Sequence, residues 1–414
     1  MRLGDVANPE AARFPKPLTG VRVLALEQMQ SLPYATQLLG RLGAEVVKVE
    51  HPTAGESGRA SQPAMLDPQG RNVGATFLRN NLSKQSVGID LKSEAGRDLV
   101  LRLAPKFDIV AENFKGGTMA RLGLGYDDLA AVHPAVIYLS VSGFGDDPDS
   151  PYADWPAYAS IVEGMSGIYE YMTQPGTRPR ANPVGALGDI SSALFSVIGV
   201  LAALRQRDLT GEGQRVDIAM YDATIAMTDI VMNFASMGIA HGSDIPVLLD
   251  TFAAADGWFV MQVVREHQFE ALADLLDHPE WNHDERFATR AGWLEHCDSV
   301  IRPAVEQWAS TRTKREAVDE LANAGVVSGP CHDASDLIAD PHVARRSMSV
   351  EVPRTDHHDS PILVPGNPVK LSKMAEGPES RVPWLGEHTD TVLAAELGLD
   401  ATEIAALRSA GTIG

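Results

Sequence analysis

At 414 residues, with 44% hydrophobic and 22% charged residues, the chain has room for more than one core, and its composition excludes wholesale disorder. A formal net charge of -20, from 35 basic against 55 acidic residues, excludes a general nucleic-acid binder, whose affinity rests on cations placed at phosphates. The two cysteines, Cys297 and Cys331, offer neither a disulfide framework nor zinc-type spacing, and they are expected to be thiols in a reducing compartment.

The start, residues 1–14, mixes both charge signs and lacks the basic-then-apolar layout of a secretory signal, so a cytoplasmic location is expected. Residues 21–26 (VRVLAL) have the β-branched and apolar density of a buried strand. Pro33 is then expected to open a helix, because Ala35, Leu38, Leu39 and Leu42 fall at i, i+3, i+4 and i+7 before Gly43 ends the run. A second strand at 45–49 completes a β-α-β unit. Further strands are expected near 87–91, 108–111 and 135–141, with a helix near 94–103. The alternation predicts an α/β fold, a doubly wound parallel sheet with helices on both faces. Ligands bind beyond the carboxyl ends of such strands, which directs attention to residues 27–33, 113–115 and 142–145.

Residues 146–188, rich in Pro, Gly, Asp and Tyr, read as irregular structure over the sheet. An apolar helix is expected over 189–205; its most apolar stretch, 193–204, falls short of the ~20 residues a membrane span needs, so it reads as a buried helix. The turn 210–214 (TGEGQ) ends it, and 215–220 alternates as a strand. A helix near 223–237 leads to a linker at 242–246. Residues 251–336, with a strand at 258–264 and several amphipathic helices, form a smaller α+β domain. Beyond Pro341 the chain returns to the first domain and ends in a helix near 402–409. The expected division is 1–238 for the first part of the large domain, 239–340 for linker and small domain, and 341–414 for the return.

The turn after the first strand, Glu27 to Pro33, contains no glycine, so the Gly-x-Gly-x-x-Gly needed for close approach to a dinucleotide pyrophosphate is missing. No phosphate-loop, zinc-protease or Gly-x-Ser-x-Gly motif is present. His357 and His358 stand adjacent in a Pro-rich stretch without a supporting cluster, and no metal is expected. Taken locally, Asp189 before an apolar run is a helix cap, and Lys84 or Arg121 is a solvated surface charge.

The ordered set Gly20-Val21-Arg22-Val23-Leu24, Leu42 through Glu50 (LGAEVVKVE), Glu112-Asn113-Phe114, Gly188-Asp189, TGEGQ at 210–214 and Leu385-Gly386-Glu387-His388-Thr389 resembles the class III CoA-transferases. That family includes formyl-CoA transferase, carnitine CoA-transferase and the related α-methylacyl-CoA racemases. The resemblance implies a Rossmann-like large domain, a small domain and an interlocked homodimer. It also implies transfer of coenzyme A between an acyl-CoA and a carboxylic acid, with both as substrates, no permanently bound cofactor, and no membrane or nucleic-acid partner.

By the same resemblance Asp189 is the covalent nucleophile, and Gln30 hydrogen-bonds acyl or anhydride oxygens. Gly188 is expected to let backbone and substrate approach closely, and the helix N-terminus to offer N–H groups to an oxyanion and keep Asp189 ionised. Asn113 and Phe114 are expected near the pantetheine or adenine portion of CoA, and Ser31 and Tyr158 are expected in the same CoA site. His51, Arg59, Lys84 and Arg121 are expected near the CoA phosphates, with Arg79 a weaker candidate. Three departures stand out: His51 replaces an arginine, Gln85 another cation, and Tyr158-Ala159 the His-Asp pair of the racemases. Tyrosine, with a reference pKa near ~10, is a poor base for α-proton abstraction, which sets the racemase alternative second. Ala159 lacks the acid often found there, leaving Asp189 without that partner. A non-catalytic acyl-CoA-binding protein is the third alternative. The glycine-rich loop of formyl-CoA transferase is not evident around 246–256, so neither formate nor oxalate is named.

Overall fold

The computed structural model describes residues 1–182, 185–228, 230–241, 247–356 and 358–414. The expected linker at 242–246 and His357 therefore lie outside the described residues, as do two residues of the segment read as irregular and one of the helix expected at 223–237. The chain divides into two compact units, Met1–Met237 with His342–Gly414, and Gly238–Pro341.

The first unit is built on β1 (Arg22–Leu26), α1 (Ser31–Arg41), β2 (Glu45–Glu50), β3 (Gln85–Gly88), α2 (Glu94–Leu103), β4 (Ile109–Glu112) and β5 (Ile137–Ser142). It continues through α3 (Ala159–Met165), α4 (Ile168–Tyr171), α5 (Leu187–Thr210), β6 (Gln214–Ala219) and α6 (Met220–Met227). The six strands form one sheet in the order β3-β2-β1-β4-β5-β6. Every pairing is parallel, with Val23 facing Val46 on one side and Ile109 on the other.

Alternation along β1 shows why the sheet is covered on both faces. Leu24 and Leu26 join one core with Leu99, Val100 and Leu103 of α2, while Val23 and Ala25 join the other with Leu32, Ala35 and Leu39 of α1 and Ala193, Val200 and Ala203 of α5. A parallel strand buried on both faces reads as a continuous apolar run, which is what residues 21–26 display. Strand order reverses between β1 and β4, and a crevice opens at such a switch point beyond the carboxyl ends.

Several boundaries differ from expectation. Helix α1 begins at Ser31, so Pro33 lies inside its first turn. Helix α5 runs for 24 residues rather than the 17 expected, and it stops at Gly211 in the left-handed conformation (φ 78°). By length and composition it is apolar enough to cross a membrane, but Ala193, Val200, Ala203 and Leu204 lie in the sheet core. The segment 146–188, read as irregular, holds α3 and α4. In place of one helix over 223–237 there are α6 and a short helix at Val231–Ser236. The second unit carries a three-stranded antiparallel sheet of Leu248–Ala254, Gly257–Val263 and Val327–Pro330, of which only the middle strand was anticipated. Its core gathers Phe252, Phe259, Phe269, Trp281 and Trp293.

Candidate active site

The chain leaves β1 through Glu27, Gln28, Met29 and Gln30, and this loop is held from below and from the side. Asn113, at the end of β4, accepts the Gln28 N–H at its Oδ1 (2.9 Å) and donates from Nδ2 to the Gln28 carbonyl (2.9 Å) and the Ser31 hydroxyl (3.2 Å). The side chain thus bridges the two strands on either side of the switch point. Met29 sits at φ 58°, a left-handed conformation costly for a side chain of its kind. Its N–H donates to Glu56 Oε2 at 2.8 Å, so the loop is held in this shape by a specific acceptor.

Beneath the loop lies a charge-balanced buried network. Lys84 Nζ faces Glu27 Oε1 (2.6 Å), the Pro33 carbonyl, the Thr36 hydroxyl and Asn81 Oδ1, while Lys48 lies 3.4 Å from Glu27 and 3.7 Å from Glu56. Arg59 forms a two-point pair with Glu50 (2.7 Å for each bond) and stacks its guanidinium 3.8 Å from the Phe77 ring centre. Burial would raise the Glu27 carboxyl, yet Lys84 and Lys48 together hold it below the usual carboxylate range. Neither is the open surface cation that was expected: Lys84 is 4% exposed and surrounded by protein oxygens, and Arg59 is 5% exposed and gives Nε and Nη2 to Glu50 and the Pro383 carbonyl.

Asp189 stands in the first turn of α5. The helix buries Ser192, Ala193, Ser196, Val200 and Ala203 along one stripe, and Asp189 continues that stripe, so the face that anchors the helix also turns the carboxylate inward. It opens into a cavity of about 790 Å³ lined by Gln28 to Ser31, Asn113, Phe114, Lys115, Phe144, Trp155, Tyr158, Glu163 and Met220, among others. The size suits a pantetheine arm with an acyl group. Gln30 donates a hydrogen bond to Asp189. Even so, the Asp189 carboxyl is pushed up to about 6, first by burial and second by the Glu163 carboxylate, with Gln30 opposing both.

The remaining expected residues divide cleanly. Asp189, Gln30, Ser31, Asn113, Phe114 and Tyr158 all line this one cavity. His51 and Arg121 do not: His51 is exposed and accepts N–H bonds from Thr53 and Ala54 at Nδ1, and Arg121 is exposed and donates to the Thr118 hydroxyl. Arg79 lies over the Tyr34 ring, 5.2 Å from its centre.

Gly188 differs from expectation in two ways. A Cβ there would lie 2.7 Å from Val162 Cγ2 and 3.1 Å from Ala159 Cα, so the close approach it permits is that of α5 to α3. Its N–H donates to Glu163 Oε1 at 3.1 Å and is not free for an oxyanion. Sequence reasoning missed Glu163 because α3 itself was missed; the available signal was an acid one helical turn after Ala159. Lys115, within the loop 113–115 singled out by the strand pattern but given no role there, also lines the cavity. It is exposed, and it donates to the Asp154 carbonyl at 2.8 Å.

In the second unit one possible ligand atom from each of Asp250, Cys297 and Asp298 lies within 4.8 Å of the other two. Arg302 pairs with both carboxylates, however, and burial pushes the Cys297 thiol up to about 11, so the local charge is already met and the sulfur stays protonated.

Residues 18–389 match the family model described as CoA-transferase family III. The chain is 34% identical over 394 residues to a succinate–glutarate CoA-transferase of Agrobacterium fabrum, covering 91% of this chain and 95% of that protein. It is 32% identical to a succinyl-CoA:mesaconate CoA-transferase of Haloarcula marismortui, covering 92% and 97%. Among solved structures, a CAIB/BAIF family protein from Brucella suis superposes with a TM-score of 0.81 at 32% identity, over 92% of this chain and 100% of that one.

Proposed function

The chain belongs to CoA-transferase family III, and on that premise we propose that it moves coenzyme A from an acyl-CoA thioester to a carboxylic acid through the Asp189 carboxylate. Asp189 attacks the thioester carbonyl, the C–S bond breaks, and an acyl-aspartyl anhydride and CoA thiolate form. The thiolate attacks the aspartyl carbonyl, releasing the first acid as its carboxylate and leaving an aspartyl-CoA thioester. The acceptor carboxylate then runs the two steps in reverse and restores Asp189. One thioester replaces another, so no nucleotide is consumed.

The observation that carries this reading is a half-buried carboxylate at the start of a core helix, hydrogen-bonded by Gln30 at the wall of a pantetheine-sized cavity. Gln30 is assigned to donate to the acyl or anhydride oxygens. Ser31, Asn113, Phe114 and Tyr158 line the path of the acyl-pantetheine. The exposed Lys115 and Arg121 are assigned as outer cations for the phosphates in a chain of net charge -20, with His51, whose Nδ1 accepts backbone N–H bonds, left to donate from Nε2. CoA enters and leaves as substrate, with no permanent cofactor.

The reading includes an interlocked homodimer in the cytoplasm. Its support is the family resemblance, an exposed apolar stripe on α5 and two unpaired cysteines suited to a reducing compartment.

The test is to incubate the enzyme with a panel of acyl-CoAs, quench, and search the Asp189 peptide for a CoA adduct by mass spectrometry. An adduct that disappears with Asp189→Ala is expected. Turnover surviving that substitution, or deuterium wash-in at the α-carbon with no adduct, sinks the proposal.

A further inference from the structure

The Glu163 carboxylate is 1% exposed, yet it lines the same cavity as Asp189. Its Oε1 accepts the Gly188 N–H at 3.1 Å and its Oε2 accepts the Tyr169 hydroxyl at 2.8 Å. The first N–H groups of a helix have no partner within it, and α5 has no side-chain cap of its own at Ala186. Glu163, from a different helix, therefore supplies the acceptor at the residue just before the nucleophile. Negative charge is favoured at that end of the helix, which helps a buried carboxylate remain ionised there.

Resting on the reading of Asp189 as nucleophile, we infer that Glu163 is a positioning residue: it clamps the first turn of α5 and sets a second negative charge beside the reacting carboxylate. Ala159 leaves the usual place for an acid empty, and Glu163 presents a carboxylate from one turn further along α3. A neighbouring anion makes Asp189 more basic, and a more basic carboxylate attacks a thioester more readily once ionised.

The groups facing this pair come from every packed element. Gln30 reaches Asp189 from the loop before α1 and lowers its proton affinity. Tyr169 of α4 donates to Glu163. From α6, Tyr221 donates to the Met165 carbonyl at the end of α3.

Glu163→Gln separates clamp from charge, because the amide oxygen still accepts the Gly188 N–H and the amide N–H still bonds the Tyr169 oxygen. The experiment follows the acid limb of kcat/KM, which reports the free enzyme's essential ionisation, in wild type and Glu163→Gln. The limb is expected to move to lower pH by roughly half a unit to one unit in the variant. Glu163→Ala, which also removes the clamp, is expected to lower kcat by about tenfold or more with little change in KM for the acyl-CoA.

A wild-type enzyme that forms the Asp189 adduct while Glu163→Gln keeps an unmoved acid limb overturns this inference alone. A wild type that forms no adduct takes down the nucleophile reading and the inference with it. Should neither Glu163 variant fold, Tyr169→Phe decides. Removing the hydroxyl that holds Oε2 is expected to lower kcat severalfold, and wild-type kinetics overturns the clamp.

Discussion

Lys84 shows how a correct residue type can carry the wrong role. On the sequence it is a cation in a family position, while its partner Glu27 lies 57 residues away and nothing local connects them. Folding brings both beneath the loop that presents Gln30, where an amine with four oxygen acceptors and 4% exposure has no donor left for a phosphate. Breaking a buried pair by removing one partner costs about 3 kcal/mol or more; Lys48 stays 3.4 Å from Glu27, but the Pro33, Thr36 and Asn81 oxygens lose their donor as well. Lys84→Met is therefore expected to lower the urea midpoint by a corresponding amount and to leave the salt dependence of KM for acyl-CoA as in wild type. A stable variant with weakened, less salt-sensitive acyl-CoA binding would return Lys84 to the phosphates. Asp189 and Gln30 were the opposite case. Their local sequence reads as a cap and a polar loop, and only the ordered motifs singled them out, yet both face the one cavity.

At the scale of elements, legibility followed burial. Strands β1, β2 and β4 and helix α2 are covered on a long apolar face, so their periodicity is strong and their boundaries fell within two residues of expectation. Helix α3 escaped because it is seven residues long and follows an aromatic, Pro-containing loop, so it never completes a readable stripe. Its importance lies in how closely α5 meets it. Gly188→Ala would set a methyl 2.7 Å from Val162 Cγ2 and 3.1 Å from the Ala159 backbone, forcing the helices apart at the residue before the nucleophile. Overpacking of this kind costs roughly 1–3 kcal/mol, and a shift of about 1 Å at the carboxylate costs on the order of a hundredfold in rate. Gly199→Ala, which meets Val216 Cγ1 at 2.6 Å in the same helix away from the cavity, is the control. Both variants should melt earlier, whereas only Gly188→Ala should lose most of its kcat. Equal activity losses would mean that the Gly188 contact has no special link to the site.

For the whole molecule, α5 again supplies the argument. Its inner stripe fills the sheet core, while Leu194, Ile198 and Leu201 form a second stripe at i, i+4 and i+7 that is 40%, 60% and 37% exposed. A helix apolar on two sides calls for a cover on each, and a second copy of the chain is the cover proposed here. Periodicity could not reach this, because threading depends on which copy's units come together, and no local pattern encodes that choice. The chain leaves the first unit after Met237 and returns at His342, so the intervening unit is tied to it at both ends. Two such chains passed through one another could not separate without unfolding, unlike an ordinary dimer held by surface contacts. Light scattering should report twice the 44.4 kDa chain mass even on dilution, and tagged and untagged dimers mixed in native buffer should fail to exchange subunits over days. Exchange should begin only at denaturant concentrations that also abolish the far-UV circular dichroism signal. A monomer mass would remove the dimer altogether, and exchange under native conditions would leave a dimer but remove the interlock.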